Sequence, residues 1–194
     1  MFEPNITKDA INELPLEKYE GEIVVVDKIE DIPKSFEEIS RFTEVGFDTE
    51  TKPVFVKGGY NDVALLQIAI PNKVFLVRIS LTGITAEIIS FFENESITKL
   101  GVGLRDDIIF LQRIQNFAPA GFLELNEMVN EIDIEANGLR KLTAIILGFR
   151  ISKNAQVSNW EAAELNYKQT RYAATDAWVC LKMYNKLTGL NLFE

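Results

Sequence analysis

Two apolar runs in the first half of the chain, Val63 to Ile70 and Lys73 to Ile79, are separated only by Pro71-Asn72. That pair is a turn signal, and strands joined by so short a connection pair antiparallel, so the runs predict a β-hairpin. Further strands are expected at Glu22 to Asp27, a short β-branched run, at Val45 to Glu50, and at Ile97 to Val102, which Gly101 and Gly103 end. Helical spacing marks Ser35 to Phe42, Thr85 to Phe92 and Arg105 to Ile114. Beyond Phe117 the pattern turns mainly helical, with candidates at Leu125 to Glu131, Gly138 to Leu147 and Asn166 to Leu187. A strand-rich first half followed by helices predicts an α/β fold: a three-layer domain in which a central mixed sheet is flanked by helices.

The chain has 194 residues, enough for one domain with a modest extension. We expect residues 1–21 to form a polar N-terminal arm and residues 22–194 the domain. With 47% hydrophobic and 25% charged residues, disorder, collagen and coiled coil are excluded. Cys180 is the only cysteine, so no intrachain disulfide can form. The first residues lack the basic and apolar runs of a signal peptide, and no apolar stretch is long enough to span a bilayer. A cytoplasmic location and no membrane partner are therefore expected.

Formal charge is −9, which argues against a broad basic face for nucleic acid. Carboxylates gathered in one site would carry much of that excess, and bound divalent cations would reverse the local field. No histidine is present. Ser-His-Asp and Cys-His hydrolases and imidazole zinc sites are thereby removed. Acid–base and metal chemistry must rest on oxygen ligands, which suit magnesium, manganese or calcium.

Three acidic groupings stand out. In Phe47-Asp48-Thr49-Glu50 the acids at i and i+2 point to one face of a strand that Val45 and Phe47 mark as buried. Solvent exposure at a strand end is the plain explanation, a cation between the acids the sharper one. In Gly101-Val102-Gly103-Leu104-Arg105-Asp106-Asp107 the glycines suggest a dinucleotide loop, but Asp106 stands where its third glycine belongs. Asp106 and Asp107 are either favourable first-turn charges or acids aimed at a site beyond the strand ends. In Tyr172-Ala173-Ala174-Thr175-Asp176, Tyr172 and Asp176 share a helix face at i, i+4.

Together these stretches resemble the three motifs of the DEDD 3′-5′ exonucleases, tyrosine subgroup, a family that includes ribonuclease D and the Werner syndrome helicase exonuclease domain. The resemblance runs from about Glu22 to Leu187 and takes in Ala64-Leu65-Leu66-Gln67-Ile68-Ala69 and Ser158-Asn159-Trp160. It implies a ribonuclease H-like fold. It also implies metal-dependent hydrolysis of terminal phosphodiesters at a single-stranded 3′ end of DNA or RNA, releasing nucleoside 5′-monophosphates. By the same resemblance Asp48, Glu50 and Asp176 would hold a first divalent cation, Mg2+ or Mn2+. Asp48 would reach a second, with Asp107 contributing directly or through water, and Tyr172 would orient the attacking water. Asp107 rather than Asp106 lies four residues after Gly103, where the family places its acid; Asp106 is a departure, because relatives often carry a small residue there. Thr49 and Thr51, in the segment Thr49 to Phe55, together with Leu104 and Trp160, would touch the last nucleotides, although Trp160 also fits a core tryptophan. Lys52, Lys57, Arg105, Lys153 and Lys168 are candidates for phosphate contacts. The alternative function is a nucleic-acid-binding or interaction module on the same fold, weak in catalysis or without it. Loss of a motif carboxylate or of the tyrosine would favour that alternative, and none is lost.

Overall fold

In a computed structural model of the protein, which describes residues 2–56, 58–190 and 192, six strands form one sheet. They are β1 (Glu22–Val26), β2 (Glu44–Thr51), β3 (Val63–Ile70), β4 (Lys73–Val77), β5 (Thr98–Gly101) and β6 (Phe122–Glu124), in the order β1-β4-β3-β2-β5-β6. The expected hairpin is present: β3 and β4 are antiparallel, with Ile70 opposite Lys73 across Pro71-Asn72. β2 and β3 are also antiparallel, whereas β1 pairs β4, β5 pairs β2 and β6 pairs β5 in parallel, so the sheet is mixed. Every residue of β3 is buried, because strands flank both its edges and helices cover both faces.

Besides a 3-10 turn (Ile29–Asp31) and a π-helical turn, the described residues form eight α-helices: α1 (Lys8–Glu13), α2 (Ile32–Ile39), α3 (Ile79–Thr82), α4 (Ala86–Phe92), α5 (Leu104–Ile114), α6 (Leu125–Asn130), α7 (Leu139–Leu142) and α8 (Tyr167–Gly189). On one face of the sheet, Phe36, Ile39, Phe92 and Leu111 from α2, α4 and α5 pack on Val45, Phe47 and Ile68. On the other, Ala173, Ala174 and Ala177 of α8 lie on Leu65, Ala69 and Leu76. The far side of α8 is covered by α6, α7 and a π-helical turn, Thr143–Leu147.

Several expectations shift for local reasons. The helix expected at Ser35 to Phe42 starts at Ile32, because Pro33 occupies its first turn, where a missing N–H costs nothing. The last strand of the hairpin stops at Val77 and Ile79 opens α3. The helix expected over Gly138 to Leu147 is split between α7 and the π-helical turn. β6, unexpected in a half read as helical, is three residues long and pairs only with β5. The expected polar arm is packed down: it carries α1, buries Ile11 and Tyr19, and bridges Leu16 to Arg150.

Sheet topology creates the site. β5 pairs β2 only as far as Gly46 and Leu100, so the stretch of β2 from Phe47 to Thr51 runs on past its parallel neighbour. Gly46, Asp48 and Glu50 share the face toward α8. A Cβ on Gly46 would sit 1.9 Å from the carbonyl oxygen of Ala177, so only glycine lets α8 lie this close. Ala177 follows Asp176, and the close approach therefore sets the distance between the acids. Gly46→Ala is expected to cost about 1–3 kcal/mol of stability by overpacking. Because α8 must move, it is also expected to weaken Mn2+ binding, as urea denaturation and calorimetry would show. Unchanged metal affinity would count against this coupling.

Candidate active site

Asp48, Glu50 and Asp176 come together from two distant segments: each offers a carboxylate oxygen, and these oxygens lie within 4.8 Å of one another. Asp48 and Glu50 are half-buried and Asp176 is buried in the face of α8. Burial pushes Asp48 well above the usual carboxylate range, reinforced by Asp176, Asp107 and Glu50. Burial raises Glu50 to about 9, with Asp176 and Asp107 adding to the rise. The Trp160 indole faces Glu50 closely enough to oppose that rise, yet its N–H is buried without a hydrogen bond of full geometry. Burial lifts Asp176 to about 8 against the effect of the adjacent Tyr172 hydroxyl. Carboxyls so placed resist ionisation unless a cation takes the place of their protons.

Asp107 stands beside this group rather than in it. It sits in the first turn of α5, and the Thr49 hydroxyl donates to its Oδ1 at 2.5 Å. Burial raises it to about 6, the Thr49 hydrogen bond opposes, and Asp106 and Glu124 push further upward. Asp106 itself is exposed, so Asp107 is the acid of the pair directed inward. The turn that aims Asp107 needs Gly103, whose φ of 85° is left-handed. It is held by Glu124 at the end of β6, whose Oε2 accepts from the backbone N–H of Gly103 at 2.7 Å and of Leu104 at 2.9 Å. Glu124 was not anticipated, since β6 carries no strand signal of its own.

Tyr172 lies one turn before Asp176 and lines the cleft with it. Burial and the neighbouring carboxylates Asp176, Glu50 and Asp48 raise its phenol, which stays protonated. Its ring packs near Trp160, with centroids 6.1 Å apart. α8 begins in a capping box: Asn166 accepts from the N–H of Gln169, whose side chain accepts in return from the N–H of Asn166.

The cleft above these residues has a volume of about 780 Å³ and is lined by Asp48, Thr49, Glu50, Tyr172 and Asp176 together with residues of α1, α7 and the 151–156 loop. Of the expected nucleotide contacts, Thr49 lines it and Thr51 does not. Thr51 sits where the β2–β3 register shifts. Leu104 is 3% exposed and Trp160 0%, so neither presents a face to a base; both are core residues, and Trp160 backs Glu50 and Tyr172 instead. Lys153 lines the cleft, whereas Lys52 is paired with Glu161 at 2.8 Å, Lys168 lines a neighbouring cavity and Arg105 lines neither. Lys57 lies outside the described residues. Gln67, opposite Asp48 on β3, was missed as a site neighbour; it is fully buried with neither amide atom hydrogen-bonded.

An all-oxygen donor set that is buried and mutually repulsive fits a hard divalent cation. The family described as 3′-5′ exonuclease matches the chain over residues 23–190. The bifunctional 3′-5′ exonuclease/ATP-dependent helicase WRN of Mus musculus is 33% identical over 187 residues, covering 91% of this chain and 13% of that protein. The exonuclease mut-7 homolog of Homo sapiens is 31% identical over 174 residues, covering 74% of this chain and 20% of its own length. The chain thus spans between an eighth and a fifth of these two relatives. The Aedes aegypti Nibbler EXO domain superposes with a TM-score of 0.79 at 23% identity, over 90% of this chain and 94% of that one. Escherichia coli RNase D superposes with a TM-score of 0.76 at 19% identity, over 85% and 44%. These likenesses bear out the α/β, ribonuclease H-like fold.

Proposed function

Since the chain belongs to the 3′-5′ exonuclease family, we propose that it hydrolyses the terminal phosphodiester at the 3′ end of a DNA or RNA strand and releases nucleoside 5′-monophosphates. The observation that carries this reading is the convergence of Asp48, Glu50 and Asp176 beside Tyr172 in an open cleft. A single strand is the proposed substrate form, and RNA is supported by Trypanosoma brucei RNase D, solved in complex with RNA U12. The lone, buried Cys180 is consistent with a cytoplasmic location, which is part of the same proposal.

Asp48, Glu50 and Asp176 would hold one divalent cation, Mg2+ or Mn2+; Asp48 and Asp107 would serve a second, Asp107 directly or through water. When bound, such cations make a water nucleophilic near neutral pH and stabilise charge on the departing 3′ oxygen. The Thr49 hydroxyl holds Asp107 in one orientation by its hydrogen bond to Oδ1. Tyr172 acts as a hydroxyl rather than a phenolate, because burial and the surrounding acids keep its proton in place. It is therefore suited to orient a water by hydrogen bonding, with Asp176 beside it as acceptor, and not to remove a proton itself. Trp160, behind both Glu50 and Tyr172, excludes water from the back of the site.

A 5′-labelled oligonucleotide incubated with the protein and Mn2+ or Mg2+ is expected to shorten stepwise from its 3′ end, with nucleoside 5′-monophosphate as product and full inhibition by EDTA. Label remaining in full-length strand, under conditions where a 3′-blocked control behaves identically, would overturn the reading.

A further inference from the structure

The family match begins at residue 23, yet the cleft is not closed by family-matched residues alone. Lys8 and Ile11 of α1 belong to its wall. The segment that carries them is fastened on both sides. Toward the start of the chain, the Pro4 carbonyl accepts from the N–H groups of Glu135 at 2.8 Å and Ala136 at 3.0 Å. Toward residue 21, the Pro15 carbonyl accepts from the N–H of Arg150 at 2.9 Å and Arg150 Nε donates to the Leu14 carbonyl at 3.0 Å. The N–H of Tyr19 reaches Thr175 Oγ1 on α8 at 3.0 Å. Residues 4–19 thus form a strap across the loops beside the catalytic face, with α1 seated at the cleft.

Charge around that cleft is divided. Among the described residues its only acids are Asp48, Glu50 and Asp176, while the remaining wall carries Lys8, Arg140, Lys141 and Lys153. In a chain with 29 acidic and 20 basic residues, a wall whose other ionisable groups are cations and a tyrosine runs against composition. Among the described residues none of these four cations is in an ion pair, whereas Lys18, Arg41, Lys52 and Lys73 each have a carboxylate partner. Arg140 lines the cleft and its Nε is buried with no hydrogen-bond partner among the described residues. Lys141 Nζ donates to Asn5 Oδ1 at 3.2 Å, which ties the strap to α7 without neutralising the lysine.

We propose that Lys8 on the strap, with Arg140 and Lys141 on α7, binds the backbone phosphates of the strand on the 5′ side of the scissile bond. The proposal rests on the exonuclease reading and assigns a substrate-binding role to a segment that lies outside the family match. Acids and cations then divide the work: the floor takes divalent cations and the wall takes the polyanion, without the broad basic face that the net charge excludes. Lysine and arginine contacts to phosphate are sequence-independent, so the wall grips any strand that ends at the acids.

The test compares Lys8→Glu with Lys34→Glu, the same charge change at an exposed lysine on α2, on the opposite face of the sheet. With a single-stranded 12-mer, Lys8→Glu is expected to raise KM roughly five- to tenfold with little change in kcat, and Lys8→Arg to restore it. The slope of log affinity against log salt should fall by about 0.7 for each phosphate that the variant no longer neutralises. Lys34→Glu should match wild type in both measures. Equal KM and equal salt slope for the two charge reversals overturn the strap proposal. Wild-type protein that hydrolyses neither the 12-mer nor the p-nitrophenyl ester of thymidine 5′-monophosphate, which needs only the acidic floor, overturns the exonuclease reading instead.

Discussion

Asp48→Asn is expected to reduce nucleotide release from a 3′ end by more than about a thousandfold while raising the melting temperature of the metal-free protein. Both effects come from the same physical fact. Asp48 is pressed by burial and by Asp176, Asp107 and Glu50, and its carboxylate is one of the three whose oxygens lie within 4.8 Å of one another. Asparagine keeps the volume and one acceptor oxygen but removes the charge on which a divalent cation depends. Without cation, burial and the neighbouring acids oppose ionisation of Asp48, so folding at neutral pH carries a cost that asparagine removes. Activity assayed on an oligonucleotide, and thermal unfolding in EDTA, are the two measurements. Residual activity equal to wild type points to a contaminating nuclease and leaves Asp48 without a role. A variant less stable than wild type in EDTA would show that the cluster is not repulsive.

Sequence patterns fared best where a short period governs structure. Strand alternation places Asp48 and Glu50 on one face, helical spacing does the same for Tyr172 and Asp176, and Pro71-Asn72 marks the hairpin. The resemblance to a known family joined these local facts into one site, which no periodicity could have done, because the meeting of β2 and α8 depends on Gly46 and the alanines of α8. What stayed hidden was long-range. Trp160 fitted the core slightly better than the substrate surface, and its burial among Ala173, Ala174 and Leu76 places it in the core. Glu124 caps the turn that carries Asp107 from a three-residue strand too short to leave a pattern. Residues 4–19 lack an apolar face long enough to announce docking, since their hold on the domain is largely backbone hydrogen bonding.

Stability of the metal-free protein is expected to fall as pH rises from 5.5 to 7.5, whereas that of the cation-loaded protein should stay level. The ordinary values for these acids are 3.8 for Asp176 and 4.5 for Glu50, and the folded protein raises them to about 8 and about 9. Between the two sets of values the folded state binds more protons than the unfolded one. Stability therefore declines with pH, from about pH 4 until the folded-state groups ionise at about pH 8–9. Cation binding removes the decline: the carboxylates are then ionised in the folded and unfolded states alike across this interval, and stability is lost only as pH falls below their ordinary values. No histidine titrates in this interval, and Asp107, raised to about 6, adds to the decline in its lower part. Lys99, lowered to about 8 by burial, has the opposite effect only above that pH, where loss of its proton favours the folded state. One extra proton held across two pH units amounts to about 2.7 kcal/mol, or roughly 5–10 °C in Tm for a domain of this size. Melting curves in EDTA and in Mn2+ at pH 5.5, 6.5 and 7.5 make the comparison, and Asp48→Asn should flatten the EDTA series. A Tm in EDTA that is level or rises across this interval would mean that the acids are ionised without a cation, and the electrostatic basis for metal binding at this site would be gone.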